Sequence, residues 1–228
     1  CALRSDGIVT FWGASYEGVP DSIGGPPDGT FIDLYAGPMN VCGIRPDRSL
    51  ACWGSNLFGS NTPPAGAFTK FDGGLPGCAL RTDGTIACWG MDGSRYALPS
   101  PSGTFTDFGV GDRYGCGIRP NGTVECWGDS LEWRWNPEYG PTRPTQPPSG
   151  TFKSINVFGI RVCGIRTDDT LACWGMNYQD DLTPPSGTFK SVALSSDFFC
   201  GIRTDDTLTC WGDDSWGQLR SPSGTFTS

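Results

Sequence analysis

The 228 residues carry 16 Lys and Arg against 24 Asp and Glu, with no histidine, a net charge of −8 that repels a phosphate backbone and excludes nucleic acid as a partner. Hydrophobic residues make up 37% of the chain, enough for a core, while 34 glycines and 19 prolines cut it into short runs rich in Thr, Val, Ile, Phe and Trp, the pattern of many brief strands. No apolar run approaches the roughly 18 residues of a membrane helix, so no membrane insertion is expected, and the opening at Cys1, inside a repeat, reads as a processed product or a piece of a longer chain.

In chain order the first predicted element is a hairpin, CALRSDGIVTFWG, in which Phe11 stands where later copies have a second cysteine. The second copy, CGIRPDRSLACWG, starts at Cys42, the third, CALRTDGTIACWG, at Cys78, and the fourth, CGIRPNGTVECWG, at Cys116. The fourth is followed by the longest insertion, DSLEWRWNPEYGPTRPTQ, before CGIRTDDTLACWG at Cys163 and CGIRTDDTLTCWG at Cys200. Before each copy after the first runs a Gly-Thr-Phe type segment such as GTFKSVAL, and the chain closes on GTFTS. Spacings of 41, 36, 38, 47 and 37 residues mark a repeat protein.

Each hairpin predicts a disulfide. If Thr82-Asp83-Gly84 is a three-residue loop with Gly84 left-handed, Arg81 pairs with Thr85, Leu80 with Ile86, Ala79 with Ala87, and Cys78 faces Cys88 at a non-hydrogen-bonded position. Such positions lie about 4.5 Å apart, within the bridging range. The same register pairs Cys42 with Cys52, Cys116 with Cys126, Cys163 with Cys173 and Cys200 with Cys210, leaving Cys1 without a partner. Five bridges imply an oxidising, extracellular compartment; five pairs of reduced buried thiols are the alternative. A ten-residue spacing with no histidine does not suit zinc, and no metal or cofactor is expected.

A strand before each hairpin, its two strands, and a less regular run after Trp-Gly make four strands per repeat. Repeated six times, this is an all-β chain forming a β-propeller of six four-stranded blades over residues 1–228, or seven if the parent chain is longer, with its ring closed by strands from both termini. The core of such a fold lies between blades, and Trp12, Trp53, Trp89, Trp127, Trp174 and Trp211, at one repeat position, are expected to pack there. Arg4, Arg45, Arg81, Arg119, Arg166 and Arg203 read as fixtures of the hairpin ends.

The copies resemble the regulator of chromosome condensation repeats, in the cysteine-rich form of extracellular proteins such as crinkly-type receptor ectodomains and secreted bacterial repeat proteins. The resemblance rests on the Asp-Gly turn and Trp-Gly series and on Trp211-Gly212 followed by Gly217-Gln218-Leu219. It implies a propeller used as a binding platform. The family's histidine before the second strand is missing, Asn40, Pro76, Tyr114, Arg161 and Phe198 standing two residues before the repeat cysteines, so exchange-factor activity and nucleosome binding are not carried over.

In an up-and-down blade, the loops between first and second strands and the runs after Trp-Gly emerge at one face. Those are the segments in which the copies differ. They hold Trp133, Arg134, Trp135, Tyr139, Trp216, Tyr178, Tyr96, Phe58, Tyr16, Tyr114, Arg113, Arg161 and Phe198, residue types that dominate binding hot spots. The reading is a non-enzymatic extracellular module that binds a protein or glycan through this face, or a filament or coat subunit that binds copies of itself. Unconstrained loop drift is the bland alternative. Catalysis would have to rest on carboxylates alone, and the Asp pairs at 168–169, 180–181, 205–206 and 213–214 are adjacent in sequence, so on strands their members point apart. Asn121-Gly122-Thr123 forms a glycosylation acceptor motif on the opposite, uniform face.

Overall fold

The computed structural model describes residues 1–10, 25–37, 40–56, 59–73, 76–90, 98–111, 114–128, 135–136, 140–141, 146–175, 182–196 and 198–226, with backbone only at 135–136 and 140–141. The chain divides into two compact units, Cys1–Thr104 and Phe105–Ser228. The first holds a short ladder of β1 (Ala2–Leu3) and β2 (Val9–Thr10), then two antiparallel three-stranded sheets, β3 (Asp33–Ala36), β4 (Asn40–Ile44) and β5 (Leu50–Gly54), and β6 (Phe68–Asp72), β7 (Gly77–Arg81) and β8 (Ile86–Trp89). The second holds three such sheets: β9 (Asp107–Val110), β10 (Tyr114–Ile118) and β11 (Val124–Gly128); β14 (Phe152–Phe158), β15 (Arg161–Arg166) and β16 (Leu171–Gly175); β17 (Phe189–Leu194), β18 (Phe198–Arg203) and β19 (Leu208–Gly212). Within the fourth copy's insertion, β12 (Trp135–Asn136) pairs with β13 (Gly140–Pro141).

The hairpin register is the expected one. Leu80 faces Ile86, Ala79 faces Ala87 and Cys78 faces Cys88. Arg81 N–H donates to Thr85 at 2.8 Å, Gly84 N–H donates back to Arg81 at 2.9 Å, and Gly84 has φ +85°. Disulfides join Cys42 to Cys52, Cys78 to Cys88, Cys116 to Cys126, Cys163 to Cys173 and Cys200 to Cys210, with Cα atoms 4.0–4.1 Å apart. Cys1 is free and exposed.

Alternation gives each sheet two unlike faces, and the core forms where unlike faces meet. In the first unit the Cys42–Cys52 bridge, with Tyr35 and Leu50, packs against Phe68, Phe71, Ala79, Ala87 and Trp89 of the next sheet. In the second unit Tyr114, Cys116 and Ile118 meet Phe152, Ile155, Val162 and Trp174, and Cys163 and Cys173 meet Val192, Phe199 and Trp211. Each described scaffold tryptophan also leans on a phenylalanine of its own repeat, as Trp53 does on Phe31 and Trp174 on Phe152, with ring centroids 5.5 and 5.7 Å apart. Trp12 lies outside the described residues.

Among the described residues, no fourth strand forms in the two copies where the run after Trp-Gly is best described. Residues 59–61 and 215–219 are turns, and the sheet orders hold three strands each. Side chains take the backbone groups a ladder would need. Asn61 donates from Nδ2 to Gly54 O at 2.7 Å, and Asn56 Oδ1 accepts Asn61 N–H at 2.9 Å. Asp214 Oδ1 accepts Leu219 N–H at 2.9 Å. In the third, fourth and fifth copies most of this run falls outside the described residues.

Candidate functional site

Antiparallel connectivity gives every three-stranded sheet two ends. At one end lies the loop between second and third strands, together with the segment that enters the first strand. At this uniform end the copies are built alike. Asp47, Asp83, Asp168 and Asp205 each accept, on Oδ1, the backbone N–H and the hydroxyl of the residue two further on: Ser49, Thr85, Thr170 and Thr207. The hydroxyls of Ser49, Thr170 and Thr207, and for Asp83 first the Thr85 amide, hold these carboxyls below the usual carboxylate range.

The arginines clamp the entering segment. Arg45, Arg81, Arg166 and Arg203 donate from Nη1 to the carbonyls of Asp28, Ala65, Ser149 and Ser186 at 2.6–2.9 Å. Their guanidinium carbons lie 4.9–5.1 Å from the ring centroids of Phe31, Phe68, Phe152 and Phe189. The same segment is docked by backbone, Phe31, Phe68, Phe152 and Phe189 donating to Gly7, Arg48, Gly122 and Asp169 at 2.8 Å, and Phe226 repeats this on Asp206 at 2.9 Å. The aspartate and arginine side chains are engaged within their own repeats, while the phenylalanine N–H groups dock each repeat on the turn of the one before it, which leaves the end uniform.

Of the residues predicted to bind, Trp216 and Phe198 are described at or near the surface of the other end. Trp216 is 91% exposed. It rides on a loop fastened from within: Asp213 Oδ1 accepts Ser215 N–H and Oγ–H at 3.2 and 2.6 Å, Asp213 Oδ2 accepts Gln218 Nε2 at 3.2 Å, and Gln218 Oε1 accepts Trp216 N–H at 2.9 Å. The Ser215 hydroxyl leads the bonds that hold the Asp213 carboxyl low, so the loop carries its charge at neutral pH. Phe198 is half-buried at the start of β18. Phe158, which the sequence reading passed over, is exposed at the end of β14.

Two predicted residues are core instead. Tyr114 is 1% exposed, and burial pushes its phenol up to about 12. Arg161 is 8% exposed, its guanidinium carbon 5.8 Å from the Phe199 ring centroid in the next sheet. The reason is register. Tyr114, Arg161 and Phe198 stand opposite Gly128, Gly175 and Gly212, two residues from the bridged cysteine, and therefore share the disulfide face that the following sheet covers at Tyr114 and Arg161. Counting two from each cysteine would have found this. Tyr16, Phe58, Tyr96, Arg113, Trp133, Arg134, Tyr139 and Tyr178 lie outside the described residues, and of Trp135 only the backbone is described, opposite Pro141.

Comparison with known proteins agrees with this fold. A regulator of chromosome condensation (RCC1) repeat matches residues 189–218. The ectodomain of the Physcomitrella patens receptor kinase CR4 superposes with a TM-score of 0.67 at 26% identity, over 86% of this chain and 56% of that one. The crinkly ectodomain of the Arabidopsis thaliana receptor kinase ACR4 superposes with a TM-score of 0.66 at 25% identity, over 84% of this chain and 67% of that one. Yeast RCC1 (Prp20), in its complex with Kap60, shares the fold at 14% identity and a TM-score of 0.62, over 80% of this chain and 56% of that one. No curated protein matches the sequence. The chain thus spans 56–67% of the ectodomain chains it resembles, and carries RCC1-type propeller repeats in a cysteine-rich form. A disulfide-rich, ectodomain-like fold suggests an extracellular module.

Proposed function

We propose that this chain is a non-enzymatic extracellular binding module that recognises a protein or glycan partner through the divergent end of its sheets, and that its repeats form the six blades of one propeller. The observation that carries the reading is Trp216, held almost wholly in solvent at the apex of a loop whose own hydrogen bonds fix its backbone. A tryptophan so placed contributes no packing to the fold. Because its loop is already ordered, a partner that covers it meets a small conformational cost, the situation in which an aromatic becomes a hot spot. The remaining anchors of the proposal are Phe198 and Phe158, with Trp133, Arg134, Trp135, Tyr139, Tyr178, Tyr96, Phe58, Tyr16 and Arg113 from the same divergent segments.

The test is capture with the immobilised, disulfide-intact chain, one arm presenting extracellular proteins from the source material and the other an array of glycans, with Trp216→Ala beside the parent in both. The proposal expects one arm to give a ligand whose retention falls in the variant. Sedimentation of the purified chain addresses the filament or coat alternative: a monomer at micromolar concentration fits the module, whereas reversible growth abolished by Trp216→Ala fits self-association.

A further inference from the structure

We propose that Asn121-Gly122 is a latent deamidation site, kept as the amide by its closed hairpin and released to react when the Cys116–Cys126 bridge is reduced. The Asn-Gly pair is set apart within the chain. At this turn position the other copies have Asp6, Asp47, Asp83, Asp168 and Asp205. Asn121 makes the bonds those carboxylates make, its Oδ1 accepting Thr123 N–H at 3.0 Å and Thr123 Oγ–H at 2.7 Å. The charge opposite the hairpin arginine has moved: Arg119 donates from Nε and Nη2 to Glu125 Oε2 at 3.0 and 2.6 Å, where the aligned residues are Ala51, Ala87, Ala172 and Thr209. The turn therefore holds an amide without leaving Arg119 unpaired.

Deamidation begins when the amide nitrogen of Gly122, deprotonated, attacks Asn121 Cγ. Ammonia leaves, a succinimide forms, and water opens that ring at either carbonyl to give Asp or isoAsp. The folded turn opposes the first step at three points. Gly122 N–H is committed to Arg119 O at 2.8 Å, and Gly122 O accepts Phe152 N–H at 2.8 Å. Gly122 is held at φ +84° with Thr151 so close that a Cβ would lie 2.8 Å from the threonine Cβ. The Asn121 carboxamide is fixed by both Thr123 donors. Ring closure must break these bonds, so it waits for local opening, and the bridge across Cys116 and Cys126 restrains that opening. Because the sister turns already hold Asp in this geometry, the Asp product fits. IsoAsp adds a methylene to the backbone and does not.

The experiment incubates three samples in mildly alkaline buffer: the oxidised chain, the chain reduced and kept reduced, and a synthetic peptide spanning residues 116–126 as the unrestrained reference. Mass spectrometry of the digested Asn121 peptide reads conversion of amide to acid, and isoaspartyl methyltransferase labelling reads isoAsp. The reduced chain should convert at close to the peptide rate. The oxidised chain should convert at least about tenfold more slowly, each ~1.4 kcal/mol of opening free energy being a factor of ten. Equal rates in oxidised chain and peptide would overturn the gating, as would a reduced chain as slow as the oxidised one. A glycan found on Asn121 in chain isolated from its source would also overturn the proposal, since the leaving amide would be blocked. As a check on the fit of the product, Asn121→Asp should fold with its bridges intact and melt within a few degrees of the parent.

Discussion

Arg48, Asp169 and Asp206 hold φ of 70°, 69° and 72° at the loop position that other copies fill with glycine. The left-handed backbone costs a side-chain-bearing residue roughly 1–2 kcal/mol. At Asp169 and Asp206 an ion pair, with Lys153 and Lys190, offsets part of this. Arg48→Gly should therefore raise stability by about 0.5–1 kcal/mol in urea unfolding, less than the full strain because glycine also loosens the unfolded chain. Glycine's fitness here, and its replacement in three copies, were legible from the sequence; the ion pairs at Asp169 and Asp206 were not, because their lysine partners sit sixteen residues earlier, on another strand. The aspartates of the same turns set the acid limb of stability. Their folded pKa values lie below the ordinary 3.8, so the stabilisation is present above that value and is lost as pH falls through the lower folded values. The melting temperature should fall with acid below about pH 4. Asp→Asn at Asp47, Asp83, Asp168 and Asp205 together should flatten that limb, since Asn121 shows that an amide makes the same bonds.

At the scale of the element, the middle strand of four of the five three-stranded sheets is shaped by the phenylalanine at the entry to the first, the remaining sheet having Ala79 at that position. A Cβ on Gly43, Gly117, Gly164 or Gly201 would lie 2.3–2.7 Å from the rings of Phe31, Phe105, Phe152 or Phe189. The arginine on the same hairpin lies beside that ring and bonds the segment before it. Gly164→Ala should cost about 1–3 kcal/mol by overpacking, read as a lowered urea midpoint with an unchanged slope. Arg203→Lys should cost about 1–2 kcal/mol, because a lysine cannot at once bond Ser186 O, bond Thr209 Oγ1 and lie flat against Phe189. The hairpins, their register and their bridges could be read from the spacing of ten between cysteines, since one three-residue loop fixes every pair above it. The fourth strand could not. Asn61, Asp213 and Asp214 compete for its backbone through bonds that no periodicity reports.

At the scale of the whole molecule, every three-stranded sheet repeats one contrast, a uniform end whose side chains are engaged within the repeat and a divergent end, where Trp216, Phe158 and Phe198 lie among the described residues. Sequence comparison among the copies found the divergence but not which residues are exposed. Tyr114 and Arg161 had the composition of a binding face and the register of a core, and register prevailed. Trp133 and Trp135 have no counterpart in the other copies, so the fold is not expected to depend on them. The most direct measurement compares the two ends in one experiment, by calorimetric melting and by titration with the captured ligand. Trp133→Ala with Trp135→Ala, and separately Trp216→Ala, should leave the melting temperature within a few degrees, as surface changes of about 0.5 kcal/mol do, while weakening binding by roughly 2 kcal/mol or more. Thr82→Ala with Asp83→Ala at the uniform end should leave the affinity unchanged. Tryptophan variants that bind like the parent, or a uniform-end variant that loses the ligand, would contradict the account.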